Sequence, residues 1–95
     1  MPSEKDAKDK RPEYTVLILP AAQKQLSKLP SAIATRIEDR LLDLEVDPRP
    51  SGCKKLKGRD AWRIRIGDYR VIYENNDGKL IVTIIAIGHK REVYE

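Results

Sequence analysis

The spacing of apolar positions changes several times along the chain, and each change marks an element. Residues 14–19, YTVLIL, are β-branched and aliphatic and predict a strand. Pro20 ends it and suits the first turn of a helix. Ala22, Leu26 and Leu29 then recur at helical spacing until Pro30 stops the helix. Ser31 is placed to cap a second helix. In it Ile33, Ile37, Leu41 and Leu44 form one stripe, with Arg36, Glu38, Asp39, Arg40 and Asp43 mostly off it. Asp47-Pro48 ends this helix, because a residue before proline avoids helical geometry. Residues 48–60, PRPSGCKKLKGRD, read as a basic loop. Residues 61–66, AWRIRI, alternate polar and apolar, Gly67-Asp68 reads as a tight hairpin turn, and YRVIYE follows at 69–74. NNDG at 75–78 is a second turn signal. LIVTIIAI at 80–87 is apolar on both faces and predicts an interior strand, ended by Gly88 and followed by a short polar tail. The expected fold is α+β in the order β-α-α-β-β-β, its last three strands an antiparallel meander with the helical hairpin on one face.

The length of 95 residues suits one domain. Phe is absent and there are one Trp and four Tyr, so the core must be aliphatic. Residues 1–12 are charged and carry no large apolar residue beyond Met1. They predict a flexible tail before a domain at 13–95, without the apolar segment of a signal peptide. No stretch approaches a membrane span, so a soluble, cytoplasmic protein is expected. The single cysteine, Cys53, excludes an internal disulfide and reads as a small loop residue. With one His as well, a structural zinc site is nearly excluded and no cofactor is implied.

The net charge of +4 is unevenly spread: residues 49–95 hold 11 Lys/Arg against 6 Asp/Glu, whereas residues 20–47 hold 4 against 5. Such asymmetry suits a polyanion or an acidic protein partner. Strand alternation places Arg63 and Arg65 on one face, away from Trp62, Ile64 and Ile66. The turn at 67–68 should bring Arg65 beside Arg70. Like charges opposite each other destabilise a sheet, so the cluster needs a reason, and a bound phosphate chain supplies one. Lys54, Lys55, Lys57 and Arg59 add positive charge upstream, and His89, Lys90, Arg91 and Tyr94 follow the last strand. His89 alone reads as a solvated strand-end residue, with a place near RNA as the alternative. Walker-type glycine loops, HExxH and paired carboxylates are all missing.

In LPAAQKQLSKLP at 19–30, KKLKG at 54–58, AWRIRIGDYRVIYE at 61–74 and IIAIGHKREVY at 84–94, the chain resembles the RelE branch of the RelE/ParE toxin superfamily over about residues 14–95. The resemblance implies a helical hairpin packed on a curved antiparallel sheet. It further implies the toxin of a type II toxin–antitoxin system: a metal-independent endoribonuclease that cuts mRNA on the ribosome. Its partners would be a cognate antitoxin, and operator DNA only through the antitoxin complex. By this resemblance Arg63, Arg65, Arg70, Arg91 (or Lys90) and Tyr94 form the catalytic set. Lys54, Lys55, Lys57, Arg59, His89 and Lys90 contact RNA. Arg63 and Arg65 stand where many relatives have Lys, and Arg holds its proton too firmly to act as a base. Two other readings keep the fold: a ParE-type toxin directed at DNA gyrase, and a non-catalytic member that binds only antitoxin and operator. A generic RNA-binding module would instead display exposed aromatics on its sheet.

Overall fold

A computed structural model describes residues 13–93; the charged tail expected at 1–12 lies outside them. The elements are β1 (Thr15–Ile18), α1 (Pro20–Ser27), α2 (Ser31–Val46), β2 (Lys54–Lys55), β3 (Trp62–Ile66), β4 (Tyr69–Asn76) and β5 (Ile81–His89). They form one five-stranded sheet in the order β1-β5-β4-β3-β2. The meander β3-β4-β5 is antiparallel, as expected. The sheet as a whole is mixed, because β1 pairs parallel with β5. Parallel pairing needs a crossover, and the α1–α2 hairpin supplies it. No helix among the described residues is long and apolar enough to cross a membrane.

Four sequence expectations shift. Ser31 is the first helical residue, and Pro30 takes the cap position without a side-chain hydrogen bond. The loop at 48–60 contributes the short strand β2, which pairs with β3. β4 runs through Asn76, two residues into the expected turn. Gly88 does not end the last strand but lies within it.

The apolar stripes of both helices lie on one face of the sheet. Ala22, Ile37, Leu41 and Leu44 are buried against Ile64, Val71, Tyr73 and Ile84, among others. Cys53 is not simply a loop residue, since it packs partly buried against this core. The core also contains one phenol: the Tyr73 hydroxyl donates to the Pro48 carbonyl at 2.7 Å. Burial, with Cys53 alongside, pushes that phenol far above its ordinary range, so it stays a donor. At the surface nearby, the Asp77 carboxylate accepts from the Tyr14 hydroxyl at 2.8 Å and pairs with Arg49 at 3.3 Å. Arg49 in turn lies 5.8 Å from the Trp62 ring centroid. The Tyr14 hydrogen bond first, and Arg49 next, hold the Asp77 carboxyl below the usual range.

The register jumps between Ile72 and Tyr73: Ile72 faces Ala86, while Tyr73 faces Ile84. Ile85 is thus the extra residue of a β-bulge, which inverts the alternation beyond it. Val82 and Ile84 face the helices before the bulge, Ile87 and His89 after it. Ala86 and Gly88 are turned to the opposite face, which is helix-free among the described residues.

Candidate nucleic-acid interface on the open face of the sheet

The helix-free face is built in rows of cross-strand neighbours. At one end Arg65 is directly opposite Arg70, and Arg70 opposite Gly88. The next row runs Lys54, Arg63, Ile72, Ala86. Directly opposed residues in an antiparallel pair have Cβ atoms about 4.5–5.5 Å apart, so these cations form one patch. The two-residue turn at Gly67-Asp68 sets the Arg65–Arg70 pairing, with Gly67 at φ 60, in the left-handed region.

Exposure differs along the patch. Arg65 is exposed and Arg70 partly buried. Arg63 was expected on an open, solvated face, but it is only 5% exposed. That face carries its own apolar cluster of Leu56, Ala61, Ile72 and Val93, flanked by Ala86, in the region of the Arg63 row. Alternation within one strand cannot show cover contributed by residues 7 positions before and 30 after. Partial burial, then Arg65, then Arg63, hold the Arg70 guanidinium below its ordinary pKa. An anion placed here would offset both the loss of solvation and the repulsion from Arg65 and Arg63.

The other expected residues divide into groups. Lys54 joins the open face opposite Arg63. Lys55 faces the other way beside Trp62, 3.9 Å from Asp60. Lys57 and Arg59 are exposed on the β2–β3 loop. Lys90 and Arg91 lie on the exposed turn after β5, where the Lys90 N–H donates to the Asp68 carbonyl at 2.8 Å and its ammonium is 3.7 Å from Asp68. His89 is not brought to the arginines. The bulge turns it to the helix side, where it meets the Tyr69 ring edge-on at 5.5 Å and its Nδ1 accepts the Arg91 N–H at 3.2 Å. There it lines a cleft with Gln25, Lys28 and Pro30. Tyr94 lies outside the described residues. Among the described residues, no group of three His, Cys, Asp or Glu is arranged to hold a metal ion. Sequence reasoning missed Leu56 and Val93, whose one signal was an isolated apolar residue in each of two basic segments.

A family model described as the ParE toxin of type II toxin–antitoxin systems, parDE, matches residues 16–94. Toxin RelG of Mycobacterium tuberculosis is 33% identical over 84 residues, covering 85% of this chain and 95% of that protein. The mRNA interferase toxin RelE of Escherichia coli is 31% identical over 78 residues, covering 77% and 81%. Among solved structures, the archaeal RelE–RelB complex from Pyrococcus horikoshii matches with a TM-score of 0.76 at 32% identity, over 85% of this chain and 99% of that one. The toxin–antitoxin complex RelBE2 from Mycobacterium tuberculosis gives 0.74 at 29%, over 83% and 99%. The fold and these matches define a toxin of a type II toxin–antitoxin system. Within that class, the chain belongs to the RelE/ParE family and is similar to its RelE-type members.

Proposed function

We propose that this toxin is an endoribonuclease that cleaves mRNA on the ribosome and so blocks translation. The observation that supports it best is the Arg65–Arg70 pair, with Arg63 in the adjoining row, on a face that no helix among the described residues covers. A ribose 2′-oxygen attacks the neighbouring phosphorus and loses its proton, the bond to the 5′-oxygen breaks, and that oxygen is protonated. Negative charge grows on the phosphoryl oxygens, where guanidinium groups stabilise it. The positive charge comes from these side chains rather than from a metal ion. Arg65 and Arg70 hold the phosphate, while Arg63, fixed by burial, orients the patch. Arg91 and Tyr94 complete the site from the C-terminal segment, Tyr94 engaging the 2′-hydroxyl or stacking on a base. Lys54, Lys57 and Arg59 guide the strand electrostatically.

The protein acts in the cytoplasm and is neutralised by a cognate antitoxin; the toxin–antitoxin complexes RelBE2 of Mycobacterium tuberculosis and RelBE of Escherichia coli support the antitoxin part of this reading. The antitoxin covers the basic face or displaces the segment after β5, and operator DNA is reached only through the complex. The test is cleavage of mRNA on programmed ribosomes by the wild-type chain and by an Arg70→Ala, Tyr94→Phe double variant. Site-specific cuts that vanish in the variant support the reading. The ParE description of the family model favours a second reading, inhibition of DNA gyrase. Gyrase inhibition without mRNA cuts would establish it instead.

A further inference from the structure

The turn after β5 is held by three backbone hydrogen bonds. His89 accepts from Glu92 N–H at 2.8 Å and from Val93 N–H at 3.1 Å through its carbonyl, and Lys90 N–H binds the Asp68 carbonyl at 2.8 Å. These bonds fold residues 90–92 back, and the chain returns onto the open face. There Val93, 6% exposed, packs with Leu56, Ala61 and Ile72. The landing place is Gly88, cross-strand partner of Arg70. A Cβ built on Gly88 would meet Val93 Cγ2 at 2.7 Å, closer than side chains tolerate. Gly88 is therefore needed for space rather than for backbone freedom, since it does not adopt the left-handed conformation of Gly67. Valine's χ1 is stiff, so the contact fixes the backbone as well as the methyl groups.

We infer that Val93, seated on Gly88, is a positioning residue: it latches the C-terminal segment across the open face and holds Arg91 at the Arg65–Arg70 end of the sheet. The inference rests on the nuclease reading. Val93 touches no phosphate. It limits the freedom of the chain before it, which carries Arg91 two residues upstream. An arginine on a frayed segment would stabilise a transition state less, because its ordering would have to be supplied during the reaction.

The full chain carrying Gly88→Ala, Val93→Ala, both together, or Val93→Ile tests this by two readouts. One is amide hydrogen exchange at residues 89–93, and the other is steady-state cleavage of ribosome-bound mRNA. Gly88→Ala should speed exchange at these amides about tenfold or more and lower kcat about tenfold, with KM nearly unchanged. Val93→Ala added to Gly88→Ala frees the space the new methyl needs and should restore part of both losses, a coupling that distant sites do not show. Val93→Ile should keep protection and kcat. Additive losses in the double variant, or a KM effect without a kcat effect, overturn the latch. Cleavage by the wild type with unchanged kcat in Gly88→Ala overturns the positioning role alone. A wild-type chain that cuts no mRNA overturns the nuclease reading, and the positioning role falls with it.

Discussion

On the helix side of the sheet, Ile64, Val71, Tyr73, Val82 and Ile84 meet the stripes of α1 and α2 and lose almost all contact with water. On the other side, the same strands carry Arg63, Arg65, Arg70 and Lys54 around a small apolar cluster. The first face gains stability from burial, roughly 25 cal/mol per Å² of apolar surface. The second places Arg65 directly opposite Arg70, a like-charge pairing that by itself costs stability and that a bound anion would offset. Both faces come from strand alternation, which in β5 is inverted once by the bulge, so the apolar core and the charged patch are carried by alternate positions of the same strands.

The largest expected effect tests the buried face. Leu44→Ala should cost about 2–5 kcal/mol in urea denaturation, because a fully buried side chain leaves a cavity. Loss of that order without any change in ribosome-bound mRNA cleavage by the folded fraction would confirm the division between faces. Arg70→Ala is the reverse case: about 100-fold slower cleavage, by the scale of removing one donor to a developing oxyanion, in a variant that still folds and unfolds cooperatively in urea. Unfolding in this variant would place Arg70 in the scaffold instead.

Tyr73→Phe removes the shorter of two hydrogen bonds to the Pro48 carbonyl, leaving the 3.4 Å bond from the Asn75 amide, and should cost about 0.5–1.5 kcal/mol, read by thermal denaturation. Arg65→Ala should fold normally and slightly raise the melting temperature at low salt. That gain should fade towards ~1 M salt, where the screening length falls to about 3 Å. A lower melting temperature would mean the patch is not self-repelling. The smallest effect concerns Asp77, whose folded pKa is depressed. Such a group contributes stability above its unfolded pKa, about 3.9, and loses it as pH falls through the lower folded value. The difference in melting temperature between wild type and Asp77→Asn should therefore be present at neutral pH and shrink in acid below about pH 4.

Much of this was legible in the chain. The helical stripes at Ile37, Leu41 and Leu44 and the prolines at 20, 30 and 48 mark the hairpin, because period and backbone restriction are local. The Gly67-Asp68 turn sets Arg65 against Arg70 for the same reason. Three decisions were not local. Parallel pairing of β1 with β5 joins residues far apart in sequence, so an antiparallel sheet was the natural expectation. The bulge at Ile85 inverts every later side chain in β5, and in a strand apolar on both faces around it no residue marks where the extra position falls. It sends His89 to the helices and Gly88 to the arginines. The burial of Arg63 depends on its surroundings as well as its strand, including a cluster drawn from Leu56 and Val93 on either side of it in sequence. The sequence by itself determined which elements form and which faces carry charge, since these depend on periodicity and neighbouring residues. Tertiary structure decided which cations are exposed and where the C-terminal segment lands, since both depend on contacts between distant parts of the chain.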